Sequence, residues 1–119
     1  MSENPAPAKT PLKLVKGTVD VMILKALSRG AHHGYGVSQW LRERSEGELE
    51  LEDAALYQAL HRLEGKDLIA SEWGLSENNR RAKFYRLTGA GRAALARETA
   101  FYRRYVEVVL RVLDARAGG

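Results

Sequence analysis

The chain has no cysteine. Disulfides, thiolate metal sites and a cysteine nucleophile are therefore excluded, and a reducing cytoplasm is the expected setting. Proline is scarce: three in 119 residues, all within the opening MSENPAPAKTP. That stretch holds no apolar block, so no signal peptide is expected, and residues 1–11 read as a disordered tail. Long apolar runs are missing too. The longest, VDVMILKAL, contains Asp20 and Lys25 and is too short and too charged to span a bilayer, so no membrane association is expected. There is no glycine-rich phosphate loop, no nucleophile–base pair and no carboxylate pair that can be placed in apolar surroundings, so an enzyme is not expected. His32-His33 has no third ligand nearby, and adjacent histidines point apart on most backbones. A structural role at the turn before the second helix is expected of them, with no metal and no cofactor.

What remains is enough for one compact domain. The chain is 45% hydrophobic and 29% charged, with a formal net charge of +4. That balance allows a modest core and leans mildly toward anionic partners.

Apolar residues Val19, Met22, Ile23, Ala26 and Leu27 recur at helical spacing, with Val21 and Leu24 on another face. A helix apolar on more than one face must be covered from more than one side. Gly17-Thr18 supplies its cap and Arg29-Gly30 its stop. A second helix begins near Gly34, carries Tyr35, Val37, Trp40 and Leu41, and ends at Ser45-Glu46-Gly47. GELELE then alternates and predicts a short half-exposed strand, with Leu49 and Leu51 on one face. Leu56, Ala59, Leu60 and Leu63 form the buried stripe of a third helix capped by Asp53. LIASEW and RAKFYRL are two strands joined by GLSENN, whose paired asparagines suit a turn. Trp40 and Trp73 are spaced like core residues. Thr88 opens a long helix to about Ala115. Along it Leu95, Thr99, Tyr102, Val106, Val109 and Leu113 step by four and three, a heptad seam, and Val108, Leu110 and Val112 widen it.

Three helices followed by a two-stranded wing make a mainly α, α+β architecture: a winged helix-turn-helix with a long C-terminal dimerisation helix. The expected division is a tail over 1–11, a DNA-binding domain over 12–88 and a dimerisation helix over 89–119. In this architecture the third helix enters the major groove and the hairpin reaches the flanking backbone or minor groove. That accounts for SENNRRAKFYRLTGAGR, where Arg80, Arg81 and Lys83 crowd the hairpin tip and one flank.

These stretches, together with GTVDVMILKAL, HHGYGV, ALYQALHRLE and LIASEWG, resemble the PadR-type transcriptional regulators. The resemblance covers roughly residues 12–113, and the motifs are specific in their order and intervals. The short length and single C-terminal helix look like the smaller subfamily. The resemblance implies a homodimeric repressor in which that helix packs with the partner's N-terminal helix, and in some members a phenolic or other flat apolar effector at the dimer interface. Three positions depart from the family pattern. Ala54-Ala55 stand where Gly-Ser or Gly-Thr is common, which removes a hydroxyl able to bond a phosphate. Gln58 replaces a frequent proline and is able to read adenine. Asp67 stands where glycine usually ends the third helix, with Gly65 two residues earlier.

The candidate DNA contacts are Tyr57, Gln58, His61, Arg62 and Lys66 from the third helix, and Asn79, Arg80, Arg81 and Lys83 from the wing. Arg62 and Lys66 are equally readable as solvated charges. The partner is double-stranded DNA carrying an inverted-repeat operator. The candidate dimer seam is Val19, Met22, Ile23, Leu95, Tyr102, Val106, Val109 and Leu113. Phe101, Tyr102 and Tyr105 interrupt an otherwise aliphatic seam, either as interface packing or as an effector pocket. A rival from another class is a winged-helix module that docks on a protein without specific DNA binding. Glu48, Glu50, Glu52 and Asp53 favour it, because carboxylates near the third helix repel phosphates.

Overall fold

The computed structural model describes Leu12, Val15 and residues 17–118. The tail expected over residues 1–11 lies outside the described residues. Helix α1 spans Thr18–Leu27, strand β1 His32–His33, α2 Gly34–Arg44, α3 Asp53–Gly65, β2 Ile69–Leu75, β3 Arg81–Leu87 and α4 Gly89–Leu113. The strands form one antiparallel sheet in the order β1-β3-β2. This is the winged helix-turn-helix with a long final helix that the sequence predicts. No helix among the described residues is long and apolar enough to cross a membrane.

Helix α1 is the axis of the core, touching α2, α3, α4 and β3. Ile23, Leu24, Ala26 and Leu27 are buried, and Val19 and Met22 pack half-buried against the same cluster. Leu56, Ala59, Leu60 and Leu63 of α3 are all buried, as their spacing requires. Val37 and Leu41 close the core from α2, and Ile69, Tyr85 and Leu87 from the base of the hairpin.

The joints are hydrogen-bonded where backbone donors would otherwise be orphaned. His33 Nδ1 accepts from Gly36 N at 2.9 Å and caps α2. Thr88 Oγ1 accepts from Gly91 N at 3.0 Å and donates to the Asp67 carbonyl at 2.7 Å, tying the start of α4 to the end of α3. Asp67 has φ 60 and so takes the left-handed conformation that the family's glycine serves. Asn79 does the same at the hairpin turn, where Ser76 N donates to the Arg80 carbonyl at 2.8 Å and Asn79 N to the Ser76 carbonyl at 2.9 Å.

Several expectations need correction. GELELE is not a strand: only Leu49 makes an isolated bridge, to Leu12. The free edge of β3 is already taken by His32–His33, so the leucines turn inward from an extended link with no ladder to join. Glu52, not Asp53, occupies the cap position of α3, and its side chain makes no capping bond; Asp53 is the first helical residue, where a carboxylate still favours the helix N-terminus. Helix α4 ends at Leu113, two residues early. Ile23, expected at a subunit seam, is fully enclosed in its own core and is not offered to a partner. Tyr35 points to solvent, as does Trp73, which is 58% exposed. Trp40 is half-buried between the guanidinium groups of Arg29 and Arg44.

Candidate nucleic-acid interface

The hairpin is longer than the core it covers. Register pairs Ile69 with Leu87, Ser71 with Tyr85, Trp73 with Lys83 and Leu75 with Arg81. Alternate residues share a face, so all eight lie on one side of the wing. Near its base that side is core. Beyond Ser71 and Tyr85 the core has ended, and Trp73, Arg81 and Lys83 project past it beside α3, while Leu75, at the end of its strand, lines a separate hollow with His32, His33 and Phe84.

The result is a cleft of about 560 Å³ between the wing, the start of α2 and the N-terminal half of α3. Tyr35 and Tyr57 line it from the helices, and Trp73, Arg80, Arg81 and Lys83 from the wing. Glu77 adds one acid. Tyr57 lies so close over Gly34 that a Cβ there would stand 2.6 Å from its hydroxyl. Gly34, by its lack of a side chain, leaves room for the ring to lie there. The cations are also held. Lys83 reaches Glu64 of α3 at 3.6 Å, and Ser71 donates to the same carboxylate at 2.5 Å. The Arg81 guanidinium sits 4.7 Å from the centre of the Trp73 ring. Burial raises the Tyr85 phenol above its ordinary range, with smaller contributions from Glu64 and Tyr57, so it stays neutral at the floor of the cleft.

Of the residues expected to contact DNA, Tyr57, Arg80, Arg81 and Lys83 meet in this cleft. Gln58 and His61 are exposed on α3 outside it, and Asn79 forms the adjoining turn. Lys66 is at the far, C-terminal end of α3. Arg62 faces away toward α1, where its Nη2 donates to Asp20 at 2.5 Å. That hydrogen bond raises the guanidinium further above its already high range. Tyr35 and Trp73 were not anticipated here. Alternation did put Trp73 on the face of Ile69, but one sequence does not reveal where the core beneath that face stops.

An exposed helix flanked by a cationic hairpin, on a three-helix core, defines the winged-helix class. Residues 23–97 match the model described as the transcriptional regulator PadR-like family. A PadR family transcription regulator of Clostridium difficile is 32% identical, with 82% of this chain and 99% of that one covered and a TM-score of 0.71. A transcriptional regulator of Clostridium thermocellum is 28% identical over 81% of this chain and 93% of that one, with a TM-score of 0.74. Bacillus subtilis PadR, solved in complex with operator DNA, shares the fold at 20% identity, covering 70% of this chain and 47% of that one, with a TM-score of 0.62. The chain belongs to the PadR-like family of transcriptional regulators.

Proposed function

We propose that the chain is a homodimeric, sequence-specific DNA-binding repressor of the cytoplasm, released by a small apolar or phenolic effector. The observation that carries the DNA reading is the cationic cleft joining α3 to the wing. A duplex laid on this face meets Gln58 and His61 in the major groove, and Tyr57, Asn79, Arg80, Arg81 and Lys83 along the backbone beside it. Lys66 adds a phosphate contact at the far end of α3. Arg62, tied to Asp20, orients α3 and offers phosphate only its remaining edge. The fold shared with a protein solved in complex with operator DNA supports DNA as the partner. Residues 12–88 serve as the DNA-binding domain and 89–119 as the dimerisation helix. Val19 and Met22 join Leu95, Tyr102, Val106, Val109 and Leu113 in the seam. Phe101 and Tyr105 stack with ring centres 5.9 Å apart, beside Tyr102, and this exposed aromatic ladder supports an effector site across the twofold axis.

The exposed acids Glu50, Glu52 and Asp53 favour the second reading, a module that docks on proteins. Fluorescence anisotropy with a random-sequence duplex separates the two. A regulator of this class binds at low salt, and its affinity falls steeply as salt rises, because each phosphate neutralised releases counterion. Absence of salt-dependent binding to any duplex at low ionic strength overturns the DNA reading.

A further inference from the structure

Trp73 is an unusual residue to leave 58% exposed near the tip of a hairpin. Its ring meets a charge, Arg81, placed diagonally across the strand pair: Trp73 faces Lys83, and Arg81 faces Leu75 two residues on. Diagonal neighbours on one face are within reach of an aromatic ring and a long side chain. The guanidinium carbon lies 4.7 Å from the ring centre. A guanidinium lying over a ring uses its face for the stack. Its five N–H donors radiate in the plane, where they remain available to a phosphate. An unheld arginine at a hairpin tip samples many rotamers and must surrender them on binding; a stacked one has already done so.

The stack does not stand alone. Trp73 and Arg81 line the same 560 Å³ cleft as Tyr35 and Tyr57, which are 69% and 50% exposed and rise from the opposite wall. Aromatic faces on both walls and cations along one edge match a chain that is itself apolar on its sugars and anionic on its phosphates. We propose that the cleft seats one sugar–phosphate strand of the duplex, and that Trp73 is the positioning residue that holds Arg81 for it. Deoxyribose packs against the Tyr35 and Tyr57 rings, and the adjacent phosphate takes the in-plane donors of Arg81, which Trp73 holds from behind. Glu77, at the rim, faces solvent. This rests on the DNA-binding reading above and adds a residue that acts through another.

The test is a double-mutant cycle on the full chain, measured by anisotropy against one random duplex over a series of salt concentrations. Trp73→Leu keeps apolar bulk and loses the π face. It should weaken binding about as much as Arg81→Ala, each by roughly tenfold, the scale of one charge-assisted hydrogen bond. Combining Trp73→Leu with Arg81→Ala should weaken binding no further than Arg81→Ala alone. Trp73→Phe, which restores a π face, should stay within about threefold of the unmodified protein. The salt slope should fall by about one with Trp73→Leu or Arg81→Ala and remain with Trp73→Phe. A merely structural tryptophan would not give that pattern: Leu and Phe would behave alike, or the losses would multiply in the double variant. Either result overturns the proposal, as does full affinity in Trp73→Leu. If the unmodified protein binds no duplex at all, it is the DNA-binding reading that fails, and the proposal falls with it.

Discussion

Gly91 sits in the first turn of α4, directly over the chain that links α3 to the wing. A Cβ there would lie 2.0 Å from the Leu68 carbonyl oxygen and 3.1 Å from the Leu87 side chain. The near obstacle is backbone, which cannot swing aside. Gly91→Ala is therefore expected to lower stability by about 1–3 kcal/mol or more, read as a lower urea midpoint at an unchanged slope. An unaltered midpoint would mean that α4 does not cross Leu68 so closely. Single residues of this kind are the least legible in a sequence. Gly91 reads there only as a small residue after a cap, and Gly34 only as a helix start, though each admits one neighbour. Trp73 and Tyr35 illustrate the converse. Their types suggest burial, and what decides otherwise is the length of the hairpin relative to the core and the angle at which α2 enters it.

At the scale of elements, the helices were legible because each repeats a pattern. Leu56, Ala59, Leu60 and Leu63 return every three or four residues and are all buried. Strand β1 is two residues long and shows no period, and GELELE has a perfect period but, among the described residues, only the bridge from Leu49 to Leu12. Alternation reports that side chains take turns facing inward; it says nothing about who supplies the hydrogen bonds. The cap of α4 was legible from Thr88 alone, but its second bond, to Asp67, depends on a left-handed residue 21 positions earlier. Thr88→Ala removes both bonds and is expected to cost about 1 kcal/mol, with Thr88→Ser recovering most of it, both measured by thermal unfolding. Equal losses in the two variants would show that the hydroxyl is not what holds this corner. The α1 helix carries two further ties within one turn: Thr18 to the Tyr102 hydroxyl on α4 at 2.8 Å, and Asp20 to Arg62 on α3. A shift of α4 along α1 is thus felt by the helix proposed to read DNA.

The described residues measure 58 × 33 × 21 Å, and α4, at 25 residues or about 37 Å, is the longest element among them. Only Gly91 and Ala94 of that helix are buried, whereas Phe101, Tyr105, Val108, Leu110, Val112 and Leu113 are exposed. So much bare apolar surface on one helix fits a second copy. Light scattering at micromolar concentration is expected to find a dimer, and Val109→Asp, which sets a carboxylate in the seam, to dissociate it. A stable monomer of the unmodified protein would contradict the seam. A twofold dimer presents two α3 helices, so footprinting on an operator is expected to give an inverted repeat with half-sites about one helical turn, or a multiple of it, apart. One asymmetric half-site bound by a single chain would contradict it.

The bare half of α4 also follows every element of the DNA-binding domain in the order of synthesis. Adding the 25 residues of the whole of α4 takes roughly 1–5 s at the usual pace of translation, whereas a small, mostly helical domain closes in about a millisecond or less. Only the first turns of α4, through Ala94, are needed to finish the core. A chain ending after Arg97 should therefore still unfold cooperatively, and one ending at Thr88 should not; the reverse pattern would place the domain's completion further along α4. Once the chain is released its own core closes in about a millisecond, whereas a partner at micromolar concentration, arriving at about 10⁶ M⁻¹s⁻¹, takes about a second. The sticky surface therefore meets another molecule only after both have finished folding.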